Sequence, residues 1–541
     1  MDRRTFLKSA GRRQAGRGKQ QQLLAGLAPY NGPWTESEVS HLLRRCLFGA
    51  SQPETAYFLS LNPAAAVDEL INNTHTAAPP VRDYGLLEDE GVLYDDLGVA
   101  IGQTWVNDPN TASDPVIRSQ INGRRVQSLK KWWAGLILNR QRSIQEKMVL
   151  FWHHHFSIQE SEVSDAAMLY RHHRLLRDNA LGNFKTLVRE VTIDPAMLLH
   201  LNGYLNSKQA PDENYARELQ ELFTVGKGND SLYTEDDVIA AARVLTGWRI
   251  SDNPLGVYAD TDAHDTGNKT FSSFYNNSTI SGSTDLYQEL DALIDMIFST
   301  TEAARFICRK LYKWFVYYEI SEATETEVIL PMADRLMQDN FDIRPALALL
   351  LKSEHFFALS SQACYIKTPF DFIAGTLREF SVPIPPYTDY VNGYPFFGNI
   401  YQQAARMQQQ LFQPPDVSGW PSYYQEPMFY ELWVNSNSLP RRADYTNALV
   451  DEGVLDLRAY VLQTSNPADP DQLVSDICER LLRYPLSDTS RNYVKTRFLT
   501  NNTAENSIWI NAWNSQNNSY IDNALRDLFR FLMNLPEFHL C

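Results

Sequence analysis

The stretch from Asp212 to Ile250, DENYARELQELFTVGKGNDSLYTEDDVIAAARVLTGWRI, constrains the fold more than any other part of the chain. Its spacing predicts a helix, a tight loop and a second helix. Asp212 can cap the first helix and Gly226 can end it. Thr234 and Asp237 form a capping box for the second, with Asp in the place usually held by Glu or Gln. On the first helix Asn214, Glu218 and Glu221 share a polar stripe beside an apolar stripe of Tyr215, Leu219 and Leu222. A polar stripe with apolar neighbours is where chemistry is expected.

Helical period recurs along the chain and no convincing run of alternating strands interrupts it. The fold class expected is all-α: a large multi-helix domain with long ordered loops and little β. With 541 residues the chain can bury a large core. We expect one helical domain over residues 31–541, with room for a subdivision near 360–400. Residues 1–30 read as a basic leader or a disordered tail.

A net charge of −16 argues against nucleic acid, which needs a basic surface. No apolar run approaches the roughly 18 residues of a membrane span, so no transmembrane segment is expected. Met1 to Lys8, MDRRTFLK, has the look of a twin-arginine export signal, which points to the periplasm or the extracellular space. The apolar stretch after it, Leu23 to Ala28, is short, so the cytoplasm stays open as the alternative. The five cysteines are scattered, with no CxxC, and give neither a disulfide framework nor a zinc signature.

Taken in order, helices are expected at Trp34 to Gly49, from Ser51, from Pro63 to Asn72, and across Gln120 to Phe156 with a break near Asn139 to Ser143. Two or three short ones follow over Ala166 to Leu201. Thr74 to Pro115 reads as a surface excursion, and Ser251 to Asp285 as a long polar loop. Further helices are expected from Asp285 to Lys352, at Pro369 to Phe380, at Tyr401 to Phe412 and through most of Asp471 to Leu540. Gln413 to Tyr424 reads as a turn.

Three groups of residues could carry chemistry. His153, His154 and His155 are consecutive, so on a helix they fan out by about 100° each and cannot share one focus. Ring stacking in the core is the alternative to ligation. Glu218 and Glu221 sit one turn apart, with Cβ atoms about 5–6 Å from each other. Two carboxylates that close can clamp a cation or divide acid and base roles; a solvated, ion-paired face is the alternative. His264 and Asp265 lie in the long loop, with Lys269 beyond them. The expected catalytic set is therefore Glu218, Glu221, His155, His264 and Asp265. Asn214, Arg217, Lys269 and Trp248 are expected to hold substrate, and His153, His155, Glu218 and Asp265 are candidates for a divalent metal ion. The joint site requires His155 or His153, one of the two glutamates, and His264 or Asp265 to meet at one pocket.

Several stretches together resemble the bacterial domain of unknown function 1800. They are HLLRRCLFGAS (His41 to Ser51), KMVLFWHHHFS (Lys147 to Ser157), DPAMLLHLN (Asp194 to Asn202), ENYARELQELFTVGKG (Glu213 to Gly228), YTEDDVIAAARVLTGW (Tyr233 to Trp248), HDTGNKTF (His264 to Phe271), KTPFDFIAGTLREF (Lys367 to Phe380) and LFQPPDVSGW (Leu411 to Trp420). The resemblance implies a mostly helical, often exported bacterial protein whose gene often neighbours one for a sulfatase-like protein. It implies no established activity. The chain departs from that pattern at His154, at Gln408 and at Asp416, where the family more often has other residues.

Two functions of different kind follow as expectations. One is a metal-assisted or acid–base hydrolase acting on envelope or extracellular glycans. The other is a non-catalytic scaffold, a binding partner of a sulfatase-like protein, whose polar cluster only fixes the loop.

Overall fold

The computed structural model describes residues 26–89, 91–228, 231–420, 432–482 and 484–541. The export-signal reading and most of the leader fall outside them. At the leader's end, Pro29 bridges Ser353, and the Tyr30 ring packs 4.5 Å from that of Phe357.

Helix dominates. Strand is confined, among the described residues, to three two-stranded antiparallel sheets: Leu87–Asp89 with Val92–Tyr94, Trp248–Asp252 with Leu255–Ala259, and Lys269–Thr270 with Thr279–Ile280. All three lie in or at the edge of the two long loops, where helical period is missing from the sequence. No helix among the described residues is long and apolar enough to cross a membrane.

The elements start where the caps predict. Thr35 and Glu38 close a capping box on Glu36–Leu47, and Asn62 caps Pro63–Asn72 through the Ala65 amide. The expected break after residue 138 separates Pro115–Leu138 from Gln145–His155. One boundary is corrected. The helix expected at Tyr401 to Phe412 runs instead over Gly393–Arg406. Its first turn holds Gly393 and Pro395, which have low helix propensity, but packing against Pro115–Leu138 stabilises the helix there.

The main core draws on residues from Val39 to Leu540, so the two ends of the described chain share one interior, and two small clusters flank it, one at Leu87, Ile117 and Ile121 and one at Cys364, Tyr365 and Cys541. The interior also contains buried ion pairs, Lys147–Asp371, Arg177–Glu146 and Arg125–Asp96. All five cysteines are buried and unbridged.

The central pair has a form that caps alone do not predict. The first helix is α-helical over Glu213–Glu218 and then widens into a π-helical turn, Leu219–Thr224. Gly226 ends it at φ +80°, with the Phe306 ring against its α-carbon. A π turn inserts a residue into the helical register. Here Gln220 is buried, and its side-chain oxygen accepts a hydrogen bond from the Tyr275 hydroxyl at 2.8 Å. The long loop therefore does fold back on the central helix, through Tyr275 and Gln220. A second tie is the Ser272 amide to the Asp237 carboxylate, 2.6 Å.

Candidate active site

The three histidines at the end of Gln145–His155 point three ways, and each meets backbone. His153 Nε2 accepts from the Phe412 amide at 3.3 Å, and His154 Nδ1 accepts from the Trp420 amide at 3.0 Å. Together they grip both ends of the turn Leu411 to Trp420. His155 Nε2 donates to the Phe223 carbonyl at 3.1 Å, in the π turn, while its Nδ1 accepts from the Lys310 ammonium at 2.9 Å. Burial lowers the pKa of all three, and Lys310 adds to it at His154 and His155; His154 falls to about 3. They are neutral imidazoles acting as connectors between the turn and the central helix. The edge-on packing of His153 against Trp133 and the stacking of His154 on Trp314 and Trp420 complete that role.

Among the described residues no carboxylate is ion-paired with the Lys310 amine. Its remaining bond is to the Leu222 carbonyl, 3.1 Å, and burial with nearby Lys313 lowers its pKa to about 7.

The turn is held on its other side by Gln159, whose side-chain amide donates to the Pro414 carbonyl at 2.8 Å, and by the Glu160 amide on the Phe412 carbonyl at 2.7 Å. Gly419 makes the fit possible. It sits at φ +90°, and a Cβ there would collide with the His154 ring and carbonyl.

Held in this way, Asp416 lies within electrostatic reach of both Glu218 and His200. Glu218 is half-buried. Burial, with Glu221 and Asp416 beside it, raises its pKa to about 7, against partial opposition from Arg217 and Lys227. Glu221 is ion-paired to Lys227 at 3.1 Å. Tyr233 borders the cluster, its hydroxyl pushed up to about 12 by burial and then by Glu221. On the other flank, buried His200 pairs through Nδ1 with Glu162 at 2.5 Å. The result is a carboxyl group poised to hold a proton at neutral pH, close to a carboxylate kept as an ion pair. A proton-holding carboxyl beside an ion-paired carboxylate is an arrangement that acid–base catalysis can use.

The loop residues do not join this cluster. His264 Nδ1 donates to the Thr246 carbonyl at 2.8 Å, and its Nε2 lies 3.2 Å from Glu289. Lys269 is fully buried and pairs with the other Glu289 oxygen at 2.5 Å. Asp265 is bound by Arg243 at 2.7 Å, which holds its carboxyl below the usual range. These bonds close a network between Glu235–Val244 and Leu286–Phe298, and among the described residues none of them reaches Glu218 or Glu221. The expected meeting of His264 or Asp265 with the glutamates is corrected accordingly: Asp265 and Glu289 find cations on their own side of the loop.

The other expectations resolve as follows. Arg217 is engaged by Glu213 and Glu235, so it ties the two central helices together. Asn214 is exposed, with its side chain on the Leu201 carbonyl at 3.3 Å. Lys269, with its amine consumed by Glu289, does not face a substrate. Trp248 is 1% exposed and packs edge-on against Tyr287, so its ring offers no wall for a sugar. The metal candidates His153, His155, Glu218 and Asp265 are dispersed among these different partners. No group of three or more His, Cys, Asp or Glu side chains among the described residues is arranged to hold a metal ion.

Sequence reasoning missed Asp416 and His200 as site residues, together with Lys310. A signal existed for the first two. Both lie in stretches that carried the family resemblance, LFQPPDVSGW and DPAMLLHLN, but their partners come from distant parts of the chain.

Fold and site define a predominantly helical protein with a carboxylate cluster set against a histidine-clamped turn. A family model described as a protein of unknown function, DUF1800, matches residues 41–540, and the chain belongs to that family. No curated protein and no solved structure matches it.

Proposed function

We propose that the protein is an acid–base hydrolase in which Glu218 is the proton donor and Asp416 or Glu221 the carboxylate base. The observation that carries this reading is the Glu218 carboxyl, half-buried beside two other acids and titrating near pH 7. A group with that affinity is protonated often enough to act as an acid and is acidic enough to release the proton. Cleavage of a glycosidic bond needs such a pair of carboxyl groups and no redox partner. We therefore propose glycans of the envelope or the extracellular space as the substrate class. The substrate class follows from the sulfatase-like gene that often neighbours members of the family, and export from the twin-arginine-like stretch MDRRTFLK.

The test is release of reducing ends from a panel of bacterial and plant polysaccharides. Glu218→Gln and Asp416→Asn should each lower the rate by about 100-fold or more, in the range general acid–base groups contribute, with the circular dichroism spectrum unchanged. Export is tested by fusing residues 1–40 to a reporter, with translocation expected to depend on Arg3 and Arg4.

A second reading has one observation in its favour. The His264–Glu289–Lys269 network is closed and buried, as a scaffold built only to fix its loop would have it. If no polysaccharide is cleaved and a sulfatase-like protein encoded nearby co-purifies with the chain, the scaffold reading takes precedence.

A further inference from the structure

One cavity lies away from the Glu218 cluster and shares no residue with it. It measures about 630 Å³ and opens between the helices Glu36–Leu47 and Pro470–Leu481. That volume is in the range of small-molecule sites.

Three arginines line it: Arg491, which is ion-paired with Asp488, and Arg44 and Arg480. Arg44 is 8% exposed. Its Nη2 is used, donating to the Arg480 carbonyl at 2.6 Å and to Glu379 at 3.3 Å. Its Nη1 is buried with no hydrogen-bond partner. Arg480 repeats the pattern: Nη2 donates to the Gln463 carbonyl at 2.7 Å, and Nη1 is buried and unpartnered. Both guanidinium groups belong to the cavity lining, and a buried N–H without an acceptor is costly unless one arrives. Glu379 does not supply it, because its oxygens are already taken by Arg44 and by the Tyr460 hydroxyl at 3.0 Å. Ser40, Ser475 and Gln362 add neutral polar groups to the wall. The carboxylates of Glu36 and Glu479, in contrast, belong to exposed residues of the lining, and they oppose a second negative charge.

We infer that this cavity binds a hydroxyl-bearing small molecule through one singly charged oxyanion group, held between Arg44 and Arg480. A planar guanidinium favours carboxylate, phosphate or sulfate oxygens alike, so geometry fixes the charge and not the element that bears it. The neutral hydroxyl and amide groups receive the rest of the ligand.

The test is calorimetric titration of the full chain at constant ionic strength with gluconate, acetate, sulfate, phosphate and citrate. Saturable one-site binding of gluconate is expected, tighter than acetate because of its hydroxyls and tighter than citrate because of the acids at the rim. Tighter binding of the more highly charged sulfate or phosphate than of gluconate would overturn the single negative charge assigned to the group. Arg480→Gln, which gives up only one bond to a backbone carbonyl, should weaken binding at least tenfold with no change in melting temperature of the free protein. Arg44→Lys keeps the charge beside Glu379 and should also weaken binding, by losing the fork. Absence of saturable binding for every probe overturns the inference. So does binding by Arg480→Gln at wild-type strength, or tighter binding of citrate than of gluconate. Glu218→Gln should leave the titration unchanged, which separates this site from the proposed hydrolytic one.

Discussion

The Glu218 carboxyl fixes the sign of a pH effect on stability. Its pKa is raised from the ordinary 4.5 to about 7 in the folded protein, so between those values the folded state holds the proton more tightly than the unfolded chain. Stability from this group is intact below about pH 4.5 and is lost as pH rises through 7. Glu218→Gln should accordingly be more resistant to urea than wild type at pH 8 and equal to it at pH 4; equal midpoints at pH 8 would remove the burial argument. Glu289 behaves in the opposite way. In spite of its burial its carboxyl is held low by His264 and Lys269. Glu289→Leu leaves the Lys269 ammonium buried without its counter-charge and should cost about 3–5 kcal/mol in urea unfolding. At this scale the sequence was legible only in part. Glu218 and Glu221 could be placed on one face by counting along the helix. That His154 accepts from Trp420, or that Asp416 approaches Glu218, depends on segments brought together only by the fold, and no local spacing encodes it.

Elements with strong local chemistry were the easiest to read. The Thr234–Asp237 capping box forms as expected, and Asp212 accepts from the Asn214 amide. What escaped was the π turn Leu219–Thr224, since its residues are as compatible with α as with π geometry and the choice is settled by Tyr275 reaching Gln220. The early start of Gly393–Arg406 escaped for the same reason, because a tertiary contact outweighs a weak propensity. The turn Leu411 to Trp420 depends on Gly419 at φ +90° against His154. Gly419→Ala should therefore lower stability by more than about 1 kcal/mol. It should also lower any hydrolytic rate, because Asp416 moves with the turn. A variant with native melting temperature and native rate would show that the turn does not position the acid.

Across the whole molecule, the all-α expectation from helical period holds, with the few strands where that period fails. The closure of one end of the chain on the other was not legible, as periodicity says nothing of which helices meet. The Lys367 ammonium donates to the Phe538 carbonyl at 2.7 Å and the Lys367 amide to the His539 carbonyl at 2.8 Å. Arg45, from the first described helix, reaches Cys541 at 3.3 Å. Removing residues 536–541 leaves two buried cations short of acceptors and should cost about 3–5 kcal/mol. Calorimetry should show this loss in one cooperative transition of the entire chain. A deletion variant that melts like wild type would mean that the tail is an accessory.

The most direct test of the central claim is the pH dependence of glycan cleavage by wild type and Glu218→Gln between pH 5 and 9. The account predicts a wild-type rate that falls on the alkaline side with an apparent pKa near 7, the value of the Glu218 carboxyl, and a Gln variant that is slow with that limb gone. A Gln variant as fast as wild type, or one that keeps the same alkaline limb, would contradict Glu218 as the proton donor.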